Sequence, residues 1–170
     1  MNQSELTEIC RVLSETPEKI RLVAKNLTVE EQHFKPDKTQ FSILEHICHL
    51  RDIEEQGYLV RIEKILGENN PFLPDLDGDK LAISREYQKK DLNLELDIFT
   101  RCRAESLLKV IKLSPPELEK VGEMEGLGEI TLSKLLLKMF EHDEEHLQAI
   151  LNLPANFSHL SSKDFFEFSK

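Results

Sequence analysis

Two histidines four residues apart, His142 and His146, stand in the run Glu141-His142-Asp143-Glu144-Glu145-His146. A helix puts such residues on one face, one turn apart, where two imidazoles can grip a single metal ion. An earlier helical stretch, Leu44-Glu45-His46-Ile47-Cys48-His49-Leu50, supplies a third imidazole if the two helices pack side by side. Three histidines with no fourth protein ligand describe an open, reactive metal site rather than a closed structural one.

The second helical stretch offers a choice of ligand, because His46 and His49 share a broad face. Leu50 and Ile53 continue the apolar stripe beside His49, whereas His46 adjoins Glu45 on the polar flank, which favours His49. Glu45 and Asp52 lie one turn from His49 and are candidates to accept the proton of a ligand imidazole and fix its tautomer. Asp143 is a weak catalytic candidate, as an outer-shell or proton-handling group, while Glu145 reads as a solvating residue. Tyr58, two turns beyond His49, either brings its hydroxyl to the pocket mouth or packs in the core. The plainer reading of His142 and His146 is a solvated acidic face, and the apolar setting of His49 weighs against it. His33 and His159 sit in polar loop and tail sequence and read as exposed. Cys48 points about 100° away from His49 and reads as a small core residue.

Two other metal chemistries fit less well. A zincin protease needs His-Glu-x-x-His with the glutamate as general base, and Asp143 stands where that glutamate belongs. A ferritin-like di-iron site needs two Glu-x-x-His motifs and two further inward glutamates, and only Asp143-Glu144-Glu145-His146 approaches the pattern. One metal is the better reading than two.

The elements that must position these residues are helices. Apolar residues recur at intervals of three and four, and six glycines, no tryptophan and few Val/Thr/Tyr runs argue against sheet. The first helix is expected over residues 4–27, kinked or restarted at Thr16-Pro17. Ser42 with Glu45 is a capping-box signature opening a second helix over residues 42–66, about 37 Å long. A third is expected over residues 91–113 and a fourth over 131–152, capped by Thr131 or Ser133. The fold class is therefore all-α, a four-helix bundle. Its connections at 68–90 and 114–130 are long enough to cross over the bundle or cover a site, and Pro71-Phe72-Leu73-Pro74 suits a lid. The expected division is a bundle domain over residues 1–153 and a phenylalanine-rich tail over 154–170 that packs on the bundle or on a subunit partner.

At 170 residues the chain can bury one substantial core without staples. Cys10, Cys48 and Cys102 have no Cys-x-x-Cys spacing, which suggests neither a disulfide framework nor a thiolate zinc site and points to a reducing cytoplasmic location. Acidic residues outnumber basic ones, 32 to 22, and the formal charge of -10 opposes binding to nucleic acid. No apolar run approaches the roughly 20 residues of a membrane span, and the opening residues lack the order of a signal peptide.

The run Phe41-Ser42-Ile43-Leu44-Glu45-His46-Ile47-Cys48-His49-Leu50-Arg51-Asp52 resembles the DinB-like superfamily when taken with four later stretches. These are Asn70-Pro71-Phe72-Leu73-Pro74, Gly126-Leu127-Gly128, Thr131-Leu132 and Glu141-His142-Asp143-Glu144-Glu145-His146-Leu147. The resemblance spans about residues 5–152, and its most specific part is one histidine in the second helix followed by His-x-x-x-His in the fourth. The family usually has Trp where this chain has Phe41, and the aromatic character is kept. The resemblance implies a four-helix bundle of unusual connectivity in which His49, His142 and His146 hold a divalent ion, commonly zinc or nickel. It also implies a functional range: transferases using thiols such as bacillithiol, a mycothiol-dependent maleylpyruvate isomerase, and members without an assigned activity. The leading expectation is a metal-dependent thiol S-transferase or detoxifying enzyme, whose partners are a small bacillithiol- or glutathione-like thiol and an electrophilic substrate. A metal-dependent hydrolase and a non-catalytic stress-response metal-binding module are the alternatives. A homodimer is suggested by family habit and by the tail.

Overall fold

The computed structural model describes residues 1–155 and 157. Eight α-helices and three short strands follow the order α1 (Gln3–Ala24), α2 (Val29–His33), α3 (Ile43–Asp52), α4 (Leu59–Gly67), β1 (Phe72–Leu73), α5 (Gly78–Ser84), α6 (Leu92–Val110), α7 (Pro115–Leu118), β2 (Val121–Met124), β3 (Gly128–Thr131) and α8 (Leu132–Asn152). A π-helical turn, Ile53–Tyr58, joins α3 to α4 into one long rod. The bundle consists of α1, this rod, α6 and α8. Both α1 and the rod pack against α6 and α8, so α1 lies diagonally across from the rod and α6 across from α8. The chain must therefore cross the bundle end twice, from α1 to the rod and again from α6 to α8 through the connection at 114–130, whereas the connection at 68–90 joins neighbouring helices.

The caps follow local chemistry. Ser42 accepts from the Glu45 N–H at 3.2 Å, and the Glu45 carboxylate accepts from the Ser42 N–H at 2.8 Å, closing the expected capping box. Thr131, rather than Ser133, caps α8 by accepting from the Lys134 N–H at 3.2 Å.

The bundle interior is layered. Two apolar clusters, one around Leu13, Tyr58, Leu107 and Met139 and the other around Ile20, Leu50, Phe99 and Leu147, are separated by a polar layer. Each long helix contributes one residue to that layer: Thr16, Glu54, Arg103 and Asp143, all nearly free of solvent contact. Arg103 is its hub. Its guanidinium donates to Glu54 at 3.0 Å and to both oxygens of Asp143 at 2.5 and 2.9 Å.

The same guanidinium bears on the expectation at Thr16-Pro17, where α1 continues through Pro17 without a restart. Proline has no N–H to offer the carbonyl four residues earlier, that of Leu13. Arg103 Nη1 donates to the Leu13 carbonyl at 2.9 Å instead, so the missing intrahelical bond is replaced from a neighbouring helix.

The long connections also differ from the expectation of a sheet-free chain. They form a three-stranded sheet in the order β1-β2-β3, with β1 parallel to β2 and β2 antiparallel to β3. The β2–β3 hairpin turns through Gly126 and Gly128 at φ 74° and 83°, a region open to glycine and costly for other residues. Strands of two to four residues leave too little alternation in the sequence to betray a sheet. The sheet delivers the chain directly into Thr131, the cap of α8, and so fixes where that helix begins.

Among the described residues no helix is long and apolar enough to cross a membrane. Of the tail, Phe157 rests edge-on against Phe34 with ring centroids 5.8 Å apart. The remaining tail expectations, with His159, fall outside the described residues.

Candidate metal centre

Because α3 packs against α8, His49 faces the one-turn pair His142 and His146. One nitrogen from each of the three rings lies within 4.8 Å of the others, a grouping able to hold a metal ion. His49 Nε2 and His142 Nε2 stand 3.0 Å apart, and the ring of His146 is 4.6 Å from that of His49 and 4.5 Å from that of His142. A tetrahedral ion bound at about 2.0–2.1 Å holds its nitrogen ligands roughly 3.3 Å apart, so small side-chain rotations separate this observed pair from that geometry.

Charge also suits a cation ligand set. Burial, reinforced by neighbouring charges, pushes His49 down to about 4, His146 to about 3 and His142 to about 2, so all three are neutral with a lone pair available near pH 7. The Nδ1 atoms of His49 and His142 are buried without a hydrogen-bond partner among the described residues. Protonating any one ring would place a cation against two others in a poorly solvated space. A metal ion is a cation that these lone pairs could hold.

His46, passed over in the sequence reading, belongs to the cluster in a supporting position. Its Nδ1 lies 2.8 Å from His146 Nδ1, which leaves Nε2 of His146 for the space shared with His49 and His142. Burial and the nearby His146 push His46 down to about 3, and a neutral His46 is able to accept a proton from His146 Nδ1, the tautomer in which His146 Nε2 keeps its lone pair. Phe41 packs against both His46 and His49, with centroids 5.6 Å away in each case. From the other side Gly78, the first residue of α5, comes so close that a Cβ there would lie 2.4 Å from His49 Cε1.

The acids expected to orient the ligands are engaged elsewhere. Glu45 closes the Ser42 capping box and pairs with Lys35 at 3.0 Å. Asp52 accepts from Arg85 and from the Tyr87 hydroxyl, each at 2.6 Å, and pairs with Arg51. Asp143, the weak catalytic candidate, is 2 % exposed and committed to Arg103 in the polar layer, so it anchors the helix bearing His142 rather than handling protons in the pocket. His33 is half-buried against Gln88, and Cys48 is a fully buried core residue.

A cavity of about 290 Å³ opens on the centre, lined by His49, Ile53, Tyr58, Arg61, Leu76 and His142, with Met124 from the sheet and Lys138, Glu141 and Glu145 from α8. The rod's contribution steps from His49 to Ile53, then to Tyr58 and Arg61. A regular helix would have continued to Gly57 and Val60. The π turn, in which the Leu59 N–H reaches the Glu54 carbonyl five residues back, inserts the extra residue that rotates Tyr58 and Arg61 onto the cavity. Burial pushes the Tyr58 phenol up, so it remains an O–H donor at neutral pH. Arg61 escaped the sequence reading for this reason. The expected lid is only partly as envisaged: Phe72 and Leu73 form β1, while Leu76 lines the cavity and Gly78 closes on His49.

Comparison with known proteins agrees with this architecture. The solved structure of YfiT from Bacillus subtilis, described as a probable metal-dependent hydrolase with an unusual four-helix bundle topology, superposes with a TM-score of 0.86. The two share 16 % sequence identity, over 93 % of this chain and 90 % of that one. A search of curated proteins found no match. The family model of the DinB superfamily matches residues 13–150, and the chain belongs to that superfamily.

Proposed function

We propose that this protein is a metal-dependent enzyme of small-molecule chemistry, a thiol S-transferase in which His49, His142 and His146 hold a zinc or nickel ion. The single observation that carries the reading is the convergence of three neutral imidazoles, two of which, His49 and His142, line an open cavity. A divalent ion held there supplies Lewis acidity, lowering the pKa of a thiol or a water beside it. The chain's own residues do the rest. Ile53, Leu76 and Met124 give the cavity an apolar wall that limits water. Tyr58 offers a proton-bearing hydroxyl within the same walls, its ring 6.0 Å from that of His142. The reaction class is S-alkylation of a small thiol: the S–H bond breaks and its proton passes to solvent, the sulfur forms a bond to the electrophilic carbon, and that carbon's leaving group departs with the electron pair of the bond it breaks.

The family resemblance in the histidine motifs supports the thiol. The description of YfiT as a probable metal-dependent hydrolase supports a second reading, in which water takes the place of the thiol. The deciding experiment measures bound metal in the purified protein, then assays a model electrophile with a panel of thiols and a panel of esters without thiol. Thiol-dependent loss of the electrophile that disappears in His142→Ala supports the transferase. Thiol-independent ester cleavage lost in the same variant supports the hydrolase, and metal without turnover on either panel rejects both in favour of a binding module.

A further inference from the structure

Three arginines are buried in the described fold, Arg51, Arg61 and Arg103, at 9 %, 5 % and 2 % exposure. Two of them are matched by buried carboxylates. Arg51 pairs with Asp52 and Glu95, each at 2.6 Å, and Arg103 with Glu54 at 2.9 Å and Asp143 at 2.5 Å. Arg61 is not so matched. Its Nη2 donates to the Pro74 carbonyl at 2.7 Å, and its ion-pair partner among the described residues is Asp75, 3.6 Å away with a side chain 66 % exposed. Its Nε is buried with no partner among the described residues.

Arg61 lines the cavity that opens on His49 and His142, and its charge contributes to holding His142 neutral. Lys138, half-buried in the same wall, adds a second cation without an ion pair among the described residues. A guanidinium withdrawn from water whose nearest anion, 3.6 Å away, sits on an exposed side chain is poorly compensated, and more so beside a centre suited to a divalent cation. An anionic ligand seated in the cavity removes both penalties.

We propose that Arg61 and Lys138 form an anion subsite beside the three histidines, and that the substrate carries a carboxylate held there while its reacting end faces His49 and His142. The flat guanidinium fork matches a carboxylate. Asp75, Glu141 and Glu145 at the same cavity oppose a doubly charged phosphate ester more strongly than a single negative charge. A cavity of about 290 Å³ suits a small molecule. The inference refines the proposed enzyme reading and rests on it for the reacting end only.

The test titrates wild-type protein, metal-free and zinc-loaded, with 3-mercaptopropionate, with its amide 3-mercaptopropionamide, and with inorganic phosphate. NMR reports both affinity and the Arg61 Nε–H resonance. The acid is expected to bind about ten- to a hundredfold more tightly than the amide, the scale of a charge-assisted hydrogen bond, and to shift that resonance. Arg61→Gln is expected to abolish the preference and Arg61→Lys to retain part of it. If Arg61→Gln does not fold, Lys138→Gln with the wild-type resonance shift decides. Equal binding of acid and amide with a static Arg61 resonance overturns the subsite, and tighter binding of phosphate overturns its assignment to a carboxylate. Absence of zinc uptake rejects the metal reading and leaves the carboxylate titration of the metal-free protein to judge the subsite.

Discussion

Replacing Gly78 with alanine puts a methyl group where the fold has no room for one. The added Cβ would lie 2.4 Å from Cε1 and 2.7 Å from Nδ1 of His49, against an ordinary contact distance starting at 3.4 Å, so the imidazole or the start of α5 must retreat by about 1 Å. Gly78 does not occupy the left-handed region, so alanine carries no backbone strain and the effect is steric. Overpacking of this kind costs about 1–3 kcal/mol of stability. Displacing a ligand ring is expected to weaken metal binding about ten- to a hundredfold, the range found when the groups that orient ligands are altered. Gly67→Ala serves as the control, since a Cβ there meets nothing within 4 Å. Competition for zinc against a chromophoric chelator gives the affinity, and thermal unfolding of the metal-free forms gives the stability. A folded Gly78→Ala protein that binds zinc as tightly as the Gly67→Ala control would refute the placement of His49 as a ligand beneath α5.

Other perturbations act through the same framework. Arg103→Met leaves Glu54 and Asp143 buried without their shared cation and the Leu13 carbonyl without its donor, a loss of about 3–5 kcal/mol that denaturant unfolding reads. A midpoint unchanged from wild type would contradict the hub role. For the metal-free protein, folded His49 titrates near 4 and His46, His142 and His146 at about 3, 2 and 3, against 6.5 for an ordinary histidine. The unfolded chain therefore takes up protons first. Stability is fully present above pH 6.5 and falls as the pH drops toward 4, by about 1.4 kcal/mol per pH unit for each extra proton bound by the unfolded state. Urea unfolding as a function of pH checks this, and a flat profile between about pH 6.5 and about pH 5 rules out buried neutral histidines. His46→Ala removes the partner of His146 Nδ1 and is expected to lower metal affinity about tenfold or more while leaving about one ion bound at saturation. Unchanged affinity would show that His46 is only a packing neighbour.

The parts of this fold legible in sequence are those governed by local rules. The four-residue spacing of His142 and His146, the apolar stripe around His49 and the Ser42-Glu45 box each declare themselves within one or two helical turns. What escaped depends on contacts between distant segments or on a break in the helical period. Arg61, between Val60 and Ile62, reads as a surface residue at 100° per residue, and only the π turn brings it inward. Arg103 lies in Arg101-Cys102-Arg103, which looks solvated, yet its partners come from two other helices and from a carbonyl freed by Pro17. Asp143 reads in sequence as an outer-shell candidate or a solvating acid because nothing near it signals that its partner, Arg103, lies diagonally across the bundle. His46 reads as part of the polar flank because of its neighbour Glu45, whose carboxylate caps the helix and leaves the imidazole to meet His146.

That the three imidazoles form one metal site is tested most directly by cobalt(II) titration of the metal-free protein. Saturation is expected at about one equivalent, with the intense visible absorption of a low-coordinate, nitrogen-bound ion, and loss of that band in each of His49→Ala, His142→Ala and His146→Ala. Failure to bind cobalt, or a spectrum that survives all three substitutions in folded protein, would contradict it.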